Sequence, residues 1–68
     1  MNLPPLSYLP GAATIEPIPG EPNYYVVEVF SSFSKWQAIE MLKVLKHNGY
    51  RIELSFGEHF IIGPNVSI

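Results

Sequence analysis

The chain has 68 residues and a net charge of -2, with only 15% charged residues against 47% hydrophobic ones. This balance predicts one small folded domain and argues against whole-chain disorder. The absence of cysteine excludes disulfides and cysteine-ligated metal sites. Four Lys and Arg residues are too few to follow a nucleic-acid backbone, so we expect no nucleic-acid partner.

The sequence also gives expectations about membranes and location. The apolar runs are only a few residues long, which is too short for a transmembrane helix. No basic stretch followed by an apolar segment marks a signal peptide. We therefore expect no membrane partner and a cytoplasmic location, which is the host cytoplasm if the protein is phage-encoded.

Residues 1–22 contain six of the seven prolines. Because proline fixes φ and removes a backbone donor, this segment is predicted to be an extended arm without a helix. Bulky apolar side chains such as Tyr8 and Leu9 distinguish it from a plain linker. Two interpretations stay open: the arm lies on its own domain, or it binds a partner and becomes ordered only then. Residues 12–16 also suit a short edge strand.

Residues 23–31 are rich in aromatic and β-branched side chains, which predicts a strand. Alternation places Tyr25, Val27 and Val29 on one face. The other face carries Tyr24, Val26, Glu28 and Phe30. Since both faces are largely apolar, the strand is either covered on both sides or exposes its second face to a partner. Tyr24 and Phe30 are therefore candidate partner-binding residues.

A helix is predicted from Lys35 to His47. Ser34 and Gln37 have the spacing of a capping box, and Gly49 suits the left-handed position that follows a helix. At 100° per residue, the stripe expected to be buried consists of Ala38, Met41, Leu42 and Leu45. The opposite face is expected to carry Trp36, Glu40, Lys43 and His47.

Residues 50–62 are predicted to form a hairpin. Alternation turns Tyr50, Ile52, Leu54 and Phe56 inward. A two-residue turn at Gly57-Glu58, which suits type II′, puts Ile61 beside Leu54 on the inner face. A three-residue turn would instead direct Phe60 and Ile62 inward. Turn chemistry favours the first register and apolar patterning favours the second, so both stay open.

These elements predict an α+β fold, in which one helix packs on a three-stranded sheet that a fourth strand could extend. The predicted organisation is an arm (1–22), a β-α-β-β domain (23–62) and a C-terminal tail (63–68). The strands on either side of the helix are expected to be parallel, either adjacent or with the last strand between them.

Catalytic chemistry has little support in the sequence. The two histidines stand apart from any group of carboxylates, the six glutamates are scattered, and no glycine-rich phosphate loop is present. We therefore predict no enzyme activity, no catalytic or metal-binding residues and no cofactor.

Trp36 carries the main functional hypothesis, because tryptophan is enriched at binding hot spots. It either folds over the start of the helix or anchors a partner together with Glu40 and Lys43. The sequence thus favours a small protein-binding module that acts as an inhibitor or accessory subunit, as phage-encoded inhibitors do. The predicted contact residues are Trp36, Lys43, Glu40, Tyr8, Leu9, Tyr24 and Phe30. Alternatives are a homo-oligomeric structural module and, with less support, a nucleic-acid-binding regulator that stacks bases on aromatic side chains.

Overall fold

A computed structural model describes residues 3–65 and contains one helix on a four-stranded antiparallel sheet. The strands are β1 (Ala12–Pro17), β2 (Tyr25–Val29), β3 (Tyr50–Phe56) and β4 (His59–Pro64). Helix α1 (Lys35–His47) connects β2 to β3. The predicted α+β fold is confirmed, and its sheet has the fourth strand.

The strand order is β1-β2-β4-β3, so the last strand lies between β2 and β3. Both of these strands pair with β4 in antiparallel fashion, which makes them parallel to each other. Part of the predicted C-terminal tail belongs to the sheet, because β4 includes Gly63 and Pro64. Residues 66–68 of that tail lie outside the described residues.

The ends of α1 coincide with the predicted ones. The Ser34 hydroxyl accepts a hydrogen bond of 3.3 Å from the backbone N–H of Gln37, whose side-chain oxygen accepts one of 3.0 Å from the Ser34 N–H. After the helix, Gly49 has φ of 84°, a conformation that glycine adopts without steric cost. These two local features fix where the helix begins and ends.

The proline-rich arm belongs to the fold. Residues 12–17 form β1, which pairs with β2 along the edge of the sheet. Leu9 is completely buried, and Leu3 and Leu6 pack against the same core. The arm therefore lies on its own domain, which is the first of the two interpretations that the sequence leaves open.

The core lies between the inner face of the sheet, the arm and α1. Its buried side chains are Leu9, Val27, Val29, Met41, Leu45, Tyr50 and Ile62. The prediction that Leu42 joins them is wrong, since its side chain is 51% exposed. Because α1 packs over β3, at an edge of the sheet, only the narrow stripe centred on Met41 and Leu45 meets the core.

The β3–β4 hairpin has the two-residue turn, with Phe56 paired to His59. Gly57 has φ of 58°, as the first position of a type II′ turn requires. The ladder is nevertheless interrupted between Ile52 and Leu54 by a β-bulge, in which Glu53 is the extra residue.

The bulge reverses the alternation of side chains within β3. Tyr50 and Ile52 face inward as predicted, but Leu54 and Phe56 are 55% and 48% exposed and lie on the outer face. The prediction that they face inward is therefore wrong. Ile61 pairs with Leu54 on that outer face, which leaves Ile62 buried and Phe60 packed against the core. The bulge thus allows the two-residue turn and inward-facing Phe60 and Ile62 to occur together.

Candidate docking surfaces

The solvent-exposed side of α1 carries an apolar stripe. Trp36 is 71% exposed, and Ile39 and Leu42 follow it at three-residue intervals as exposed side chains. Residues at this spacing share one side of a helix. Because the opposite side of α1 holds the buried Met41 and Leu45, these three residues point away from the core.

Lysines border this stripe. Lys35, Lys43 and Lys46 are all exposed and fall on the same side of the helix at 100° per residue. The Lys35 Nζ atom lies 5.7 Å from the centroid of the Trp36 ring, which is within the range of a cation–π interaction. We call the set Lys35, Trp36, Ile39, Leu42, Lys43 and Lys46 the helix face.

The charges of the chain are divided between the helix and the rest of the molecule. Three of the four basic residues lie on the helix face, and the fourth is Arg51 in β3. Five of the six glutamates lie outside the helix, and Glu40 is the exception. The helix face is therefore basic in a protein whose net charge is negative, which makes it electrostatically distinct from the sheet side.

The sheet has an outer face, on the side away from α1. The pairing register places Val26, Ile61 and Leu54 next to one another across β2, β4 and β3. Tyr24 flanks this row at one end, where its ring lies so close to Gly63 that a Cβ at that position would force the ring to shift. Phe56 flanks it at the other end and stacks on the His59 ring with centroids 5.7 Å apart. We call the set Tyr24, Val26, Leu54, Phe56 and Ile61 the outer face.

Charged groups lie at both ends of the outer face. At the Tyr24 end, the Arg51 Nε atom is 3.0 Å from a carboxylate oxygen of Glu53, and this hydrogen bond is the chief cause of the raised pKa of Arg51. At the Phe56 end, the His59 Nε2 atom lies 4.0 Å from a carboxylate oxygen of Glu28. The apolar row thus has the Arg51–Glu53 ion pair at one end and the Glu28 carboxylate near the His59 ring at the other.

The structure distributes the predicted contact residues over several places. Trp36, Glu40 and Lys43 are exposed together on α1. Tyr8 and Phe30 are exposed, on the arm and just after β2, while Tyr24 is half-buried on the outer face. Leu9 is fully buried in the core, so its side chain is not accessible to a partner.

Sequence reasoning missed several exposed apolar residues. The sequence predicts Leu42 on the buried side of the helix and Leu54 and Phe56 on the inner face of the sheet, and Ile39 is not among the predicted contact residues. The exposure of Leu42 depends on how far toward the sheet edge α1 lies, which periodicity alone does not predict. For Leu54 and Phe56 no local signal exists, because their exposure depends on the bulge.

Groups suited to catalysis or metal binding do not converge in the described part of the chain. Among residues 3–65, no three His, Cys, Asp or Glu side chains lie close enough to hold a metal ion. An open cavity of about 350 Å³ lies at the β1–β2 connection and is lined by residues from Pro17 to Tyr25. Its titratable lining groups are Glu21, Tyr24 and Tyr25, all from one stretch of chain. This lining does not bring a nucleophile and a base together.

Comparison with known proteins identifies no relative: neither a protein-family model nor a curated protein nor a solved structure matches the chain. Within the described residues, no helix has the length and apolar character needed to cross a membrane.

Proposed function

We propose that this protein is a non-enzymatic protein-binding module that docks on a larger protein through the helix face. It would act as an inhibitor or an accessory subunit, of the kind that phages encode, in the cytoplasm. The observation that supports this proposal is the exposure of Trp36, Ile39 and Leu42 in one stripe on a helix whose other side is committed to the core.

The stripe suits an interface centre. Trp36 contributes a large side chain that loses little conformational entropy when it is buried, which is why tryptophan is frequent at binding hot spots. Three exposed apolar side chains on one helix match the way in which helices insert into grooves of a partner. The surrounding lysines place positive charge at the rim, where it accelerates association with a surface of opposite charge and disfavours basic partners.

The partner surface that fits is therefore an apolar groove with acidic residues along its border. Glu40, the one carboxylate within α1, lies on the same side of the helix. The helix face still carries more positive than negative charge. This positive charge favours an acidic protein as the partner. Nucleic acid is acidic too, but the chain has too few cations for a phosphate-tracking surface.

Affinity capture with matched variants tests the proposal. Wild-type protein, a Trp36→Ala/Leu42→Gln variant and a Leu54→Gln control are immobilised, and captured proteins are quantified by mass spectrometry. Leu54 is a suitable control because its 55% exposure matches the 51% of Leu42 on a different face. We expect specific proteins that wild type and control retain and that the helix variant loses by at least about tenfold.

The candidate is then purified and its dissociation constant is measured by calorimetry with the same three proteins. If no captured protein depends on Trp36 and Leu42, the helix face is not a docking site and the proposal fails. Deleting residues 1–20 is not a usable control, because that segment contains Leu9 and most of β1.

A further inference from the structure

The outer face has the combination of apolar and acidic groups that the helix face fits. Its members Leu54 and Phe56 are about half exposed. Neither the arm nor α1 covers it, since both pack against the inner face of the sheet. We propose that the outer face of one copy of this chain binds the helix face of a second copy, head to tail. The contact uses the helix face, but it holds whether or not that face also binds a larger protein.

The two faces carry opposite charge. On the helix face, three lysines outnumber the single glutamate of α1, and within residues 3–65 none of these lysines forms an ion pair. On the outer face, the pairing register places Glu16 and Glu28 on the same side of the sheet as the apolar row. Neither carboxylate has a lysine or arginine within ion-pair distance in that part of the chain. Since Glu53 is already paired with Arg51, the charge that remains on the outer face is negative.

This difference in charge selects a head-to-tail contact over a symmetric one. In a two-fold contact the same patch lies on both sides, so a patch of one predominant charge repels itself. The helix face and the outer face are both patches of this kind. In a head-to-tail contact the basic face of one copy meets the acidic face of the next, which favours their association.

The apolar rows of the two faces have matching lengths. From Trp36 to Leu42, the row on the helix face rises about 9 Å, at about 1.5 Å per residue. Val26, Ile61 and Leu54 lie on three adjacent strands, and two strand spacings are about 10 Å. A helix that lies across the strands therefore packs its apolar row on all three of them.

Charge sets the direction in which the helix crosses the strands. Lys43 and Lys46 lie toward the C-terminal end of α1, and Glu16 and Glu28 lie on β1 and β2. The C-terminal end of α1 therefore lies over these two strands of the second copy, and Trp36 lies over β3. The reverse direction is disfavoured, because it would move the lysines away from the two carboxylates and toward the arginine of β3.

The contact is small, so it is weak and depends on salt. A helix about 10 Å wide and about 20 Å long has a footprint on the order of 200 Å², whereas standard stable interfaces bury about 800 Å² per partner. We expect association at about 1 mM protein in about 10 mM salt, and monomers at about 1 µM. Because a head-to-tail contact does not close on itself, species larger than dimers should form. Salt at about 1 M should weaken the association by screening the charges.

Sedimentation equilibrium of the purified chain tests the proposal without any other protein. We expect Trp36→Ala/Leu42→Gln, on the helix face, and Leu54→Lys, on the outer face, each to weaken self-association at least about tenfold. A one-to-one mixture of these two variants should form dimers and no larger species, because it retains one intact face of each kind. Tyr8→Ala is the matched control for Trp36, since both side chains are 71% exposed, and it should leave self-association unchanged. Circular dichroism confirms that the variants fold, as expected for exposed positions.

The other outcomes contradict the proposal. If either variant associates as wild type does, the contact is not head to tail. A wild-type chain that stays monomeric at about 1 mM in low salt overturns the proposal, and so does a mixture that forms no dimer. Association that is unchanged in about 1 M salt would show that charge does not select the second copy. None of these results bears on the capture of a larger protein, which the affinity experiment measures separately.

Discussion

The hydroxyl of Tyr50, the first residue of β3, donates a hydrogen bond of 3.0 Å to the backbone carbonyl oxygen of Pro4. The two residues are 46 positions apart in the sequence. The Tyr25 hydroxyl accepts a hydrogen bond of 3.4 Å from the N–H of Leu6, and the two tyrosine rings meet edge to face with centroids 5.9 Å apart. Two core tyrosines thus hold the proline-rich arm on the inner face of the sheet.

Substitution of Tyr50 by Phe should destabilise the protein by about 1–2 kcal/mol, because the Pro4 carbonyl loses its partner while the ring stays in the core. Urea unfolding followed by circular dichroism measures the change. Tyr8→Phe is the matched control, and because Tyr8 is largely exposed its effect should stay within about 0.5 kcal/mol. Equal effects of the two changes would contradict a structural role for the Tyr50 hydroxyl.

Stability should fall at alkaline pH because of the same tyrosine. Burial, followed by the neighbouring Tyr25, raises the pKa of Tyr50 from 10 to about 12. The folded state therefore favours the neutral phenol, while the unfolded chain ionises near pH 10. The contribution of the neutral Tyr50 phenol to the free energy of unfolding is fully present below pH 10. It is lost as the pH rises from 10 to about 12.

Free energies of unfolding measured between pH 9 and about pH 12 check this predicted loss of stability. The free energy of unfolding of the Tyr50→Phe variant should decline less steeply with pH than that of wild type, since the phenol with the raised pKa is gone. Parallel curves for the two proteins would show that Tyr50 is not responsible.

Substitution by alanine should destabilise the protein strongly at Leu9 and hardly at all at its neighbour Tyr8. Leu9 is 0% exposed in the core, so Leu9→Ala should cost about 2–5 kcal/mol. That loss is large for a domain of this size and should leave much of the chain unfolded at room temperature. Tyr8→Ala should be nearly neutral in thermal denaturation. A stable Leu9→Ala variant would show that the arm is dispensable for folding.

Deletion of Glu53 should preserve the fold, although it removes a residue from the middle of a strand. Without the extra residue of the bulge, Leu54 follows the inward-facing Ile52 directly and keeps both its outward position and its pairing with Ile61. The lost ion pair with Arg51 is exposed and screened by solvent, so its removal should matter little for stability. Cross-strand nuclear Overhauser effects between Leu54 and Ile61 measure the register. Their replacement by contacts between Leu54 and Phe60 or Ile62 would contradict this account.

The sequence predicts those parts of the fold that local chemistry determines. The limits of α1 follow from Ser34, Gln37 and Gly49, and the turn of the hairpin follows from Gly57. The bulge at Glu53 could not be predicted, because it resolves a competition between the turn and the packing of Phe60 and Ile62 on the other strand.

The position of the arm is also beyond local reasoning. It depends on hydrogen bonds that the backbone N–H groups of Leu3 and Leu6 donate to side chains about 20 residues away, and on one that the Pro4 carbonyl accepts from a side chain 46 residues away. Of the candidate site, the exposure of Trp36 and Lys43 on one side of a helix follows from periodicity. That Leu42 belongs to the helix face does not follow from periodicity, because its exposure depends on how far toward the sheet edge the helix lies.

The central place of β4 has a consequence for biosynthesis. As the chain leaves the ribosome, β1, β2, α1 and β3 emerge before the strand that must insert between β2 and β3. A nascent chain that ends before residue 59 has a β1–β2 pair and a separate β3, with no hydrogen bonds between them. Its sheet closes only when residues 59–64 have cleared the exit tunnel, so the sheet is expected to fold only once its last strand is available.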